Sequence, residues 1–209
     1  MTAADPKRKR KFSGFTLREA LALHDTTQIS EWIPAAEPRT PSDYFRETLR
    51  KLKAHFDLSL SESAKSLLID AILLEAIDPF PTLKVWKEAP LQSDELTGSV
   101  DYLVAGQGAV YQAPLLCVVE AKKDDFEQGL AQCLAELRAC EDINRAYPPI
   151  DLYGAVTNAT TWRFYKIDVE RRIHASPAYA ETQIDVILGI LHGVFGACSA
   201  NLGRIVQGG

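Results

Sequence analysis

Cysteine is scarce in this chain and never paired. Cys117, Cys133, Cys140 and Cys198 form no C-x-x-C spacing and stand inside apolar runs. They read as reduced, buried thiols, which argues against a disulfide frame. The four histidines, His24, His55, His174 and His192, show no pair at the spacing of zinc ligands, so a structural zinc site is not expected. No stretch approaches the roughly 18–20 consecutive apolar residues that cross a bilayer. No apolar leader core follows the early basic run, so neither secretion nor a membrane partner is expected, and a cytoplasmic location is. No G-x-x-x-x-G-K-[S/T] occurs, which removes a P-loop ATPase. Internal repeats, low-complexity tracts and long linkers are absent too.

What is present is ordinary soluble material: 46% of 209 residues are hydrophobic, enough to bury a real core in one domain. Charge is distributed unevenly. Residues 1–11 carry Lys7, Arg8, Lys9, Arg10 and Lys11 against Asp5, about +4, which leaves about −9 on the rest of a chain of net charge −5. Like charges in a run repel and stay solvated, so residues 1–15 are expected to be a basic, disordered tail. Residues 16–209 then form a single domain with its core at about 60–168. An acidic body argues against nonspecific coating of DNA but allows binding through a local cleft.

Short helices are expected at 16–24 and 26–33, before an extended connector with Pro34, Pro38 and Pro41. Thr40-Pro41 with Asp43 reads as a helix start. Phe45, Leu49, Leu52 and Phe56 then give that helix an apolar face. Ser59-Leu-Ser-Glu62 resembles a capping box for a second helix over 60–77, apolar almost all round and closed by Asp78-Pro79. The period then changes. Strands are expected at 83–89, 99–105, 114–121, 151–157 and 161–167, with one helix at about 124–145 between the third and fourth and an apolar helix at roughly 181–197. The order predicts an α/β fold, a mixed sheet of about five strands flanked by helices.

The third strand ends Leu-Cys-Val-Val-Glu120-Ala-Lys122. Alternation sends Glu120 and Lys122 to one face and Ala121 to the other. Asp101 is a lone acid in the preceding strand, and a hairpin pairing would bring it to Glu120. Glu75, in the apolar helix before the sheet, offers a third acid, with Asp70 as its substitute. Crowded carboxylates raise one another's pKa unless a cation sits between them. Mg²⁺ suits such a place, and a lysine beside it can hold or help deprotonate a water aimed at phosphorus.

Gly98-Ser-Val-Asp101-Tyr-Leu-Val followed by Val118-Val-Glu120-Ala-Lys122 resembles the PD-(D/E)XK nuclease superfamily. The run from Glu120 through Lys-Asp-Asp-Phe-Glu-Gln-Gly-Leu-Ala to Gln132, with Tyr153–Phe164, is similar to the nuclease domain of type I restriction-enzyme R subunits and their stand-alone relatives. The likeness covers about Glu75 to Lys166. It implies a restriction-endonuclease-like fold and Mg²⁺-dependent (or Mn²⁺-dependent) hydrolysis of phosphodiesters. DNA would be the partner, with RNA not separated from it, and a homodimer would cut both strands. By the same resemblance Asp101, Glu120, the Ala121 backbone carbonyl and Glu75 would hold the metal, and Lys122 would orient or activate water. Gln132 matches a glutamine that relatives place near the site. By helical angle it stands about 130° from its helix's apolar face, where a solvated glutamine is the other reading. Lys123 and Gln128 are expected on the surface, Trp162 and Phe164 in the core. Val100 stands where the family has proline, and Ala159 where relatives often have glycine in the hairpin. The competing reading is a catalytically silent module of the same fold that binds nucleic acid or a protein partner.

Overall fold

Helices cover both faces of one mixed, eight-stranded sheet. The computed structural model describes residues 9–58, 60–122 and 125–208. In chain order these form β1 (Arg10–Lys11), a 3-10 turn (Phe12–Gly14), α1 (Leu17–Ala22), β2 (Ile29–Glu31), α2 (Asp43–His55) and α3 (Glu62–Ile77). There follow β3 (Leu83–Gln92), β4 (Leu96–Gly106), β5 (Leu115–Ala121), α4 (Phe126–Asn144), β6 (Leu152–Thr157), β7 (Thr161–Ile167), β8 (Ile173–Ala180) and α5 (Ile184–Gly208). The order across the sheet is β1-β4-β5-β6-β7-β8-β2, with β3 also paired to β4.

β5 and β6 are parallel and α4 is the crossover between them, the connection that a parallel pair requires. The five expected strands are all present, and the α/β class stands. The additional strands have tertiary causes. Residues 29–31, expected as helix, pair instead with the open edge of β8, and Pro34 lies just beyond them. The stretch 173–180 pairs antiparallel with β7.

The expected tail is part of the fold from Lys9 onward; residues 1–8 lie outside the described residues. Phe12 and Phe15 are buried, and β1 joins β4 at Leu96–Thr97. Burying two phenyl rings, at about 1.5–3 kcal/mol each, outweighs the repulsion of neighbouring cations. A Cβ on Gly98 would come within 2.5 Å of the Phe12 ring, so the absence of a side chain there makes room for it.

Other boundaries move for local reasons. The α2 cap is Ser42 rather than Thr40: its hydroxyl accepts the Phe45 N–H. Ser61 caps α3 through the Ala64 N–H; Ser59 lies outside the described residues. α5 runs well past the expected 197, with no Asp, Glu, Lys or Arg between Asp185 and Arg204. By length and composition it is long and apolar enough to cross a membrane, contrary to the expectation from the sequence; half of its most apolar window is buried inside the fold.

Two cores result. α4, α1 and the 3-10 turn cover one face, with Phe12, Leu103, Val118, Leu134 and Val156 beneath them. α2, α3 and α5 cover the other, over Tyr102, Leu116, Val119, Trp162 and Phe164. β5 is buried on both faces, which is why its sequence is a continuous apolar run. The four cysteines are free and buried.

Candidate active site

Strand alternation breaks at Asp101. Tyr102 and Val104 face the second core and Leu103 the first, yet Val100, two residues before Tyr102, also lies in the first. The neighbouring strand turns over at the same level: Glu88, with φ 51°, separates Lys87, opposite Tyr102, from Ala89, opposite Val100. Asp101 therefore stands at a fold in the β3–β4 ribbon. Tyr102 pairs with Val119, so the next step of that register sets Asp101 opposite Glu120.

Its carboxylate closes the end of β5. Asp101 Oδ2 accepts the Ala121 N–H at 2.7 Å, and the next amide, Lys122 N–H, donates to Thr157 O at 2.8 Å on β6. In an extended strand one residue's N–H and C=O face the same edge. The Ala121 carbonyl thus turns toward β4 and Asp101, the side a shared ion would require. All of this lies at the carboxyl ends of the parallel pair β5 and β6, where open α/β sheets bind ligands.

Glu120 is 0% exposed, and Lys122 Nζ lies 2.9 Å from its Oε1. The lysine stem is seated by a glycine: a Cβ on Gly129 would come within 2.6 Å of Val156 Cγ1 and 3.0 Å of Lys122 Cγ. Burial pulls the Lys122 pKa down, but its contact with Glu120 and the charge of Asp101 raise it on balance. The ammonium is the stable form. Glu120 is displaced the other way: burial first, then the charge of Asp101, push it up to about 7 against the pull of Lys122.

Gln132 is buried at 7% exposure and Glu136 at 0%, one turn apart on α4. Gln132 Nε2 donates to Glu136 Oε1 at 3.0 Å, and the Glu136 carboxyl meets that of Glu120. Burial and then the charge of Glu120 push Glu136 well above the usual carboxylate range. Glu120 Oε2, Glu136 Oε2 and Gln132 Oε1 meet no donor among the described residues. Buried acceptors without donors are uncommon, and three in one cluster call for a proton or a cation. That donor set, all oxygen, suits a hard ion such as Mg²⁺ or Mn²⁺. Among the described residues no three His, Cys, Asp or Glu side chains stand close enough to enclose an ion in the present arrangement.

Asp101, Glu120, Lys122 and Gln132 are brought together; Glu75 is not. α3 lies on the opposite face, and Glu75 receives the Ser42 N–H at 2.7 Å and the Ser42 hydroxyl at 2.8 Å, holding the start of α2. Its substitute Asp70 binds Tyr102 Oη at 2.8 Å and Lys87 Nζ at 2.7 Å. Gln132 is buried rather than solvated because α4 is enclosed on two sides, by the sheet and by α1 with the 3-10 turn. Glu136 went unrecognised for the same reason. Its one local signal is the small residues Gly129, Ala135 and Ala139, which flank it along α4 and permit close packing. Gln128 reaches Ser13 O at the surface, Trp162 and Phe164 are core, and Lys123 lies outside the described residues. Ala159, in the hairpin, has φ 73°, the conformation that favours glycine.

No family model matches the chain. Over 71 residues it is 32% identical to Crinkler effector protein 5 of Phytophthora infestans, a stretch that is 34% of this chain and 19% of that protein. The chain thus spans about a fifth of the length of the protein it matches.

Proposed function

We propose that the protein is a metal-dependent nuclease of the PD-(D/E)XK kind, hydrolysing a phosphodiester bond of DNA or RNA. The observation that carries this reading is the meeting of Asp101, Glu120 and Lys122 at the end of β5, with Glu120 Oε2 buried and meeting no donor among the described residues. Asp101, Glu120 and the Ala121 carbonyl would hold Mg²⁺ or Mn²⁺. When bound, that ion supplies charge neutralisation at the phosphate and a more acidic water.

The chain's own groups do the rest. Lys122, held as an ammonium by Glu120, donates: it orients the attacking water and faces the negative charge that grows on the phosphate oxygens. Its side chain is 26% exposed, so the ammonium lies at the border between the buried carboxylates and solvent. Asp101 fixes the Ala121 peptide, and β1 places the exposed Lys11 on the edge of β4 that β5 has left, where an approaching polyanion would meet it. Cleaving both strands of a duplex requires two such sites, so a homodimer belongs to the same proposal.

A second reading keeps the fold and removes the catalysis, leaving a module that binds nucleic acid. It is favoured by the absence, among the described residues, of three ligand side chains closed around a point.

The test is cleavage of linear, circular and single-stranded DNA and of RNA with Mg²⁺ or Mn²⁺. Lys122→Ala and Asp101→Ala are each expected to lower the rate about 10²–10⁴-fold, measured at a temperature where circular dichroism shows both variants folded. Activity untouched by either change sinks the proposed site. A wild type inactive under every metal condition, yet binding the same substrates, establishes the silent module instead.

A further inference from the structure

We infer that Glu136 is the positioning residue of this site, holding the Gln132 amide so that its oxygen turns toward Lys122 while bracing the Glu120 carboxylate from behind. The inference rests on the hydrolase reading above.

Gly129, Gln132 and Glu136 follow one another at helical steps of three and four along the same stripe of α4. The Lys122 stem crosses the Gly129 turn. Gln132 is the next turn, and Glu136 the one after. Because Gln132 Nε2 is committed to Glu136 Oε1 at 3.0 Å, the planar amide sends its oxygen the other way, back toward Gly129 and Lys122. That oxygen is buried and meets no donor among the described residues. A water held by the Lys122 ammonium would find in it an acceptor for one hydrogen, which fixes the direction of the lone pair aimed at phosphorus. Without Glu136 the amide is free to rotate, and Glu120 loses the group packed behind it.

A purely structural role fits this position poorly. A fully buried carboxyl with an unpartnered oxygen is costly, and replacing such groups by apolar side chains of similar volume is often neutral or stabilising. If packing alone were at stake, a methionine would serve α4 at least as well.

Three variants decide the matter: Glu136→Met, Glu136→Gln and the double variant Gln132→Leu/Glu136→Met. They are compared in steady-state cleavage, melting temperature and Mn²⁺ affinity by calorimetry. Glu136→Met is expected to lower kcat about 10–100-fold and to weaken Mn²⁺ binding by a similar factor, with KM for the nucleic acid unchanged. Glu136→Gln keeps an acceptor for the Gln132 amide and should recover kcat to within a few-fold of wild type. The double variant should melt at or above the wild-type temperature while remaining slow. Unchanged kcat in Glu136→Met overturns the inference, as does a loss of rate that tracks a fall in melting temperature across the series. Failure of Lys122→Ala to reduce cleavage would instead defeat the hydrolase reading. If the wild type cleaves nothing, Mn²⁺ affinity decides: equal binding by all variants overturns the positioning role, and a drop in Glu136→Met restored by Glu136→Gln sustains it.

Discussion

Two acids on α3, Asp70 and Glu75, and two on β5 and α4, Glu120 and Glu136, are treated in opposite ways. On α3, Asp70 lies between Lys87 and Tyr102, and Glu75 takes two hydrogen bonds from Ser42. Both of these carboxylates have donors, and both residues retain contact with solvent. On the α4 face, Glu120 and Glu136 are sealed from solvent, Lys122 pairs with Glu120, and among the described residues an oxygen of each meets no donor. The α3 acids stabilise the structure around them. Burial of the β5 and α4 acids costs stability, a cost that the proposed chemistry would account for.

The largest effect that separates the two faces is expected from Glu120→Gln beside Asp70→Asn. The first should reduce cleavage by about 100-fold or more, the second by less than about twofold, the size of a typical surface effect. Glu120→Gln should also change the pH dependence of stability in the metal-free protein. The Glu120 pKa is raised from 4.5 to about 7 in the fold. Below 4.5 both folded and unfolded chains hold the proton. Between 4.5 and about 7 only the folded chain does, so stability falls as pH rises through this window, and above it the penalty is complete. Chemical denaturation at pH 5 and pH 8 should therefore show a drop for wild type that Glu120→Gln flattens. An equal drop in both proteins would place the titrating group elsewhere.

Glu75→Ala should have a smaller effect of the other kind. Removing the acceptor of Ser42 is expected to cost about 1 kcal/mol of stability and to leave cleavage intact. A large loss of cleavage with little loss of stability would return Glu75 to the site and erase the contrast between the faces. Lys11→Ala should do least. Stability and single-turnover rate should hold, while binding to oligonucleotides weakens modestly and its salt dependence loses about one charge; fluorescence anisotropy across a salt series measures both.

Legibility in the sequence followed local physics. The burial of β5 was readable from its unbroken apolar run, and the acid and lysine at its end from alternation alone. The hairpin that joins Asp101 to it was also readable, because antiparallel neighbours in sequence pair in space. Glu75 was misplaced because an acid in an apolar helix does not reveal which face of the sheet that helix will cover. Gln132 was named through the resemblance alone and Glu136 not at all, because the burial of both depends on α1 and the 3-10 turn, whose docking is driven by Phe12 and Phe15 in a stretch that reads as a charged tail. The bend at Glu88 and Asp101 left no mark either, since a non-glycine residue at φ 51° is imposed by the ribbon around it.

By itself, then, the sequence determined the α/β class, the strand that bears Glu120 and Lys122, and the lone acid that meets them. Periodicity and the covalent alternation of side chains act over a few residues and need no partner. Only the tertiary structure decided which remaining acids are satisfied and which are stranded, because hydrogen-bond donors and solvent are removed or supplied by elements far away in the chain. That decision sets the fully satisfied acids Asp70 and Glu75 apart from the partly satisfied Glu120 and Glu136.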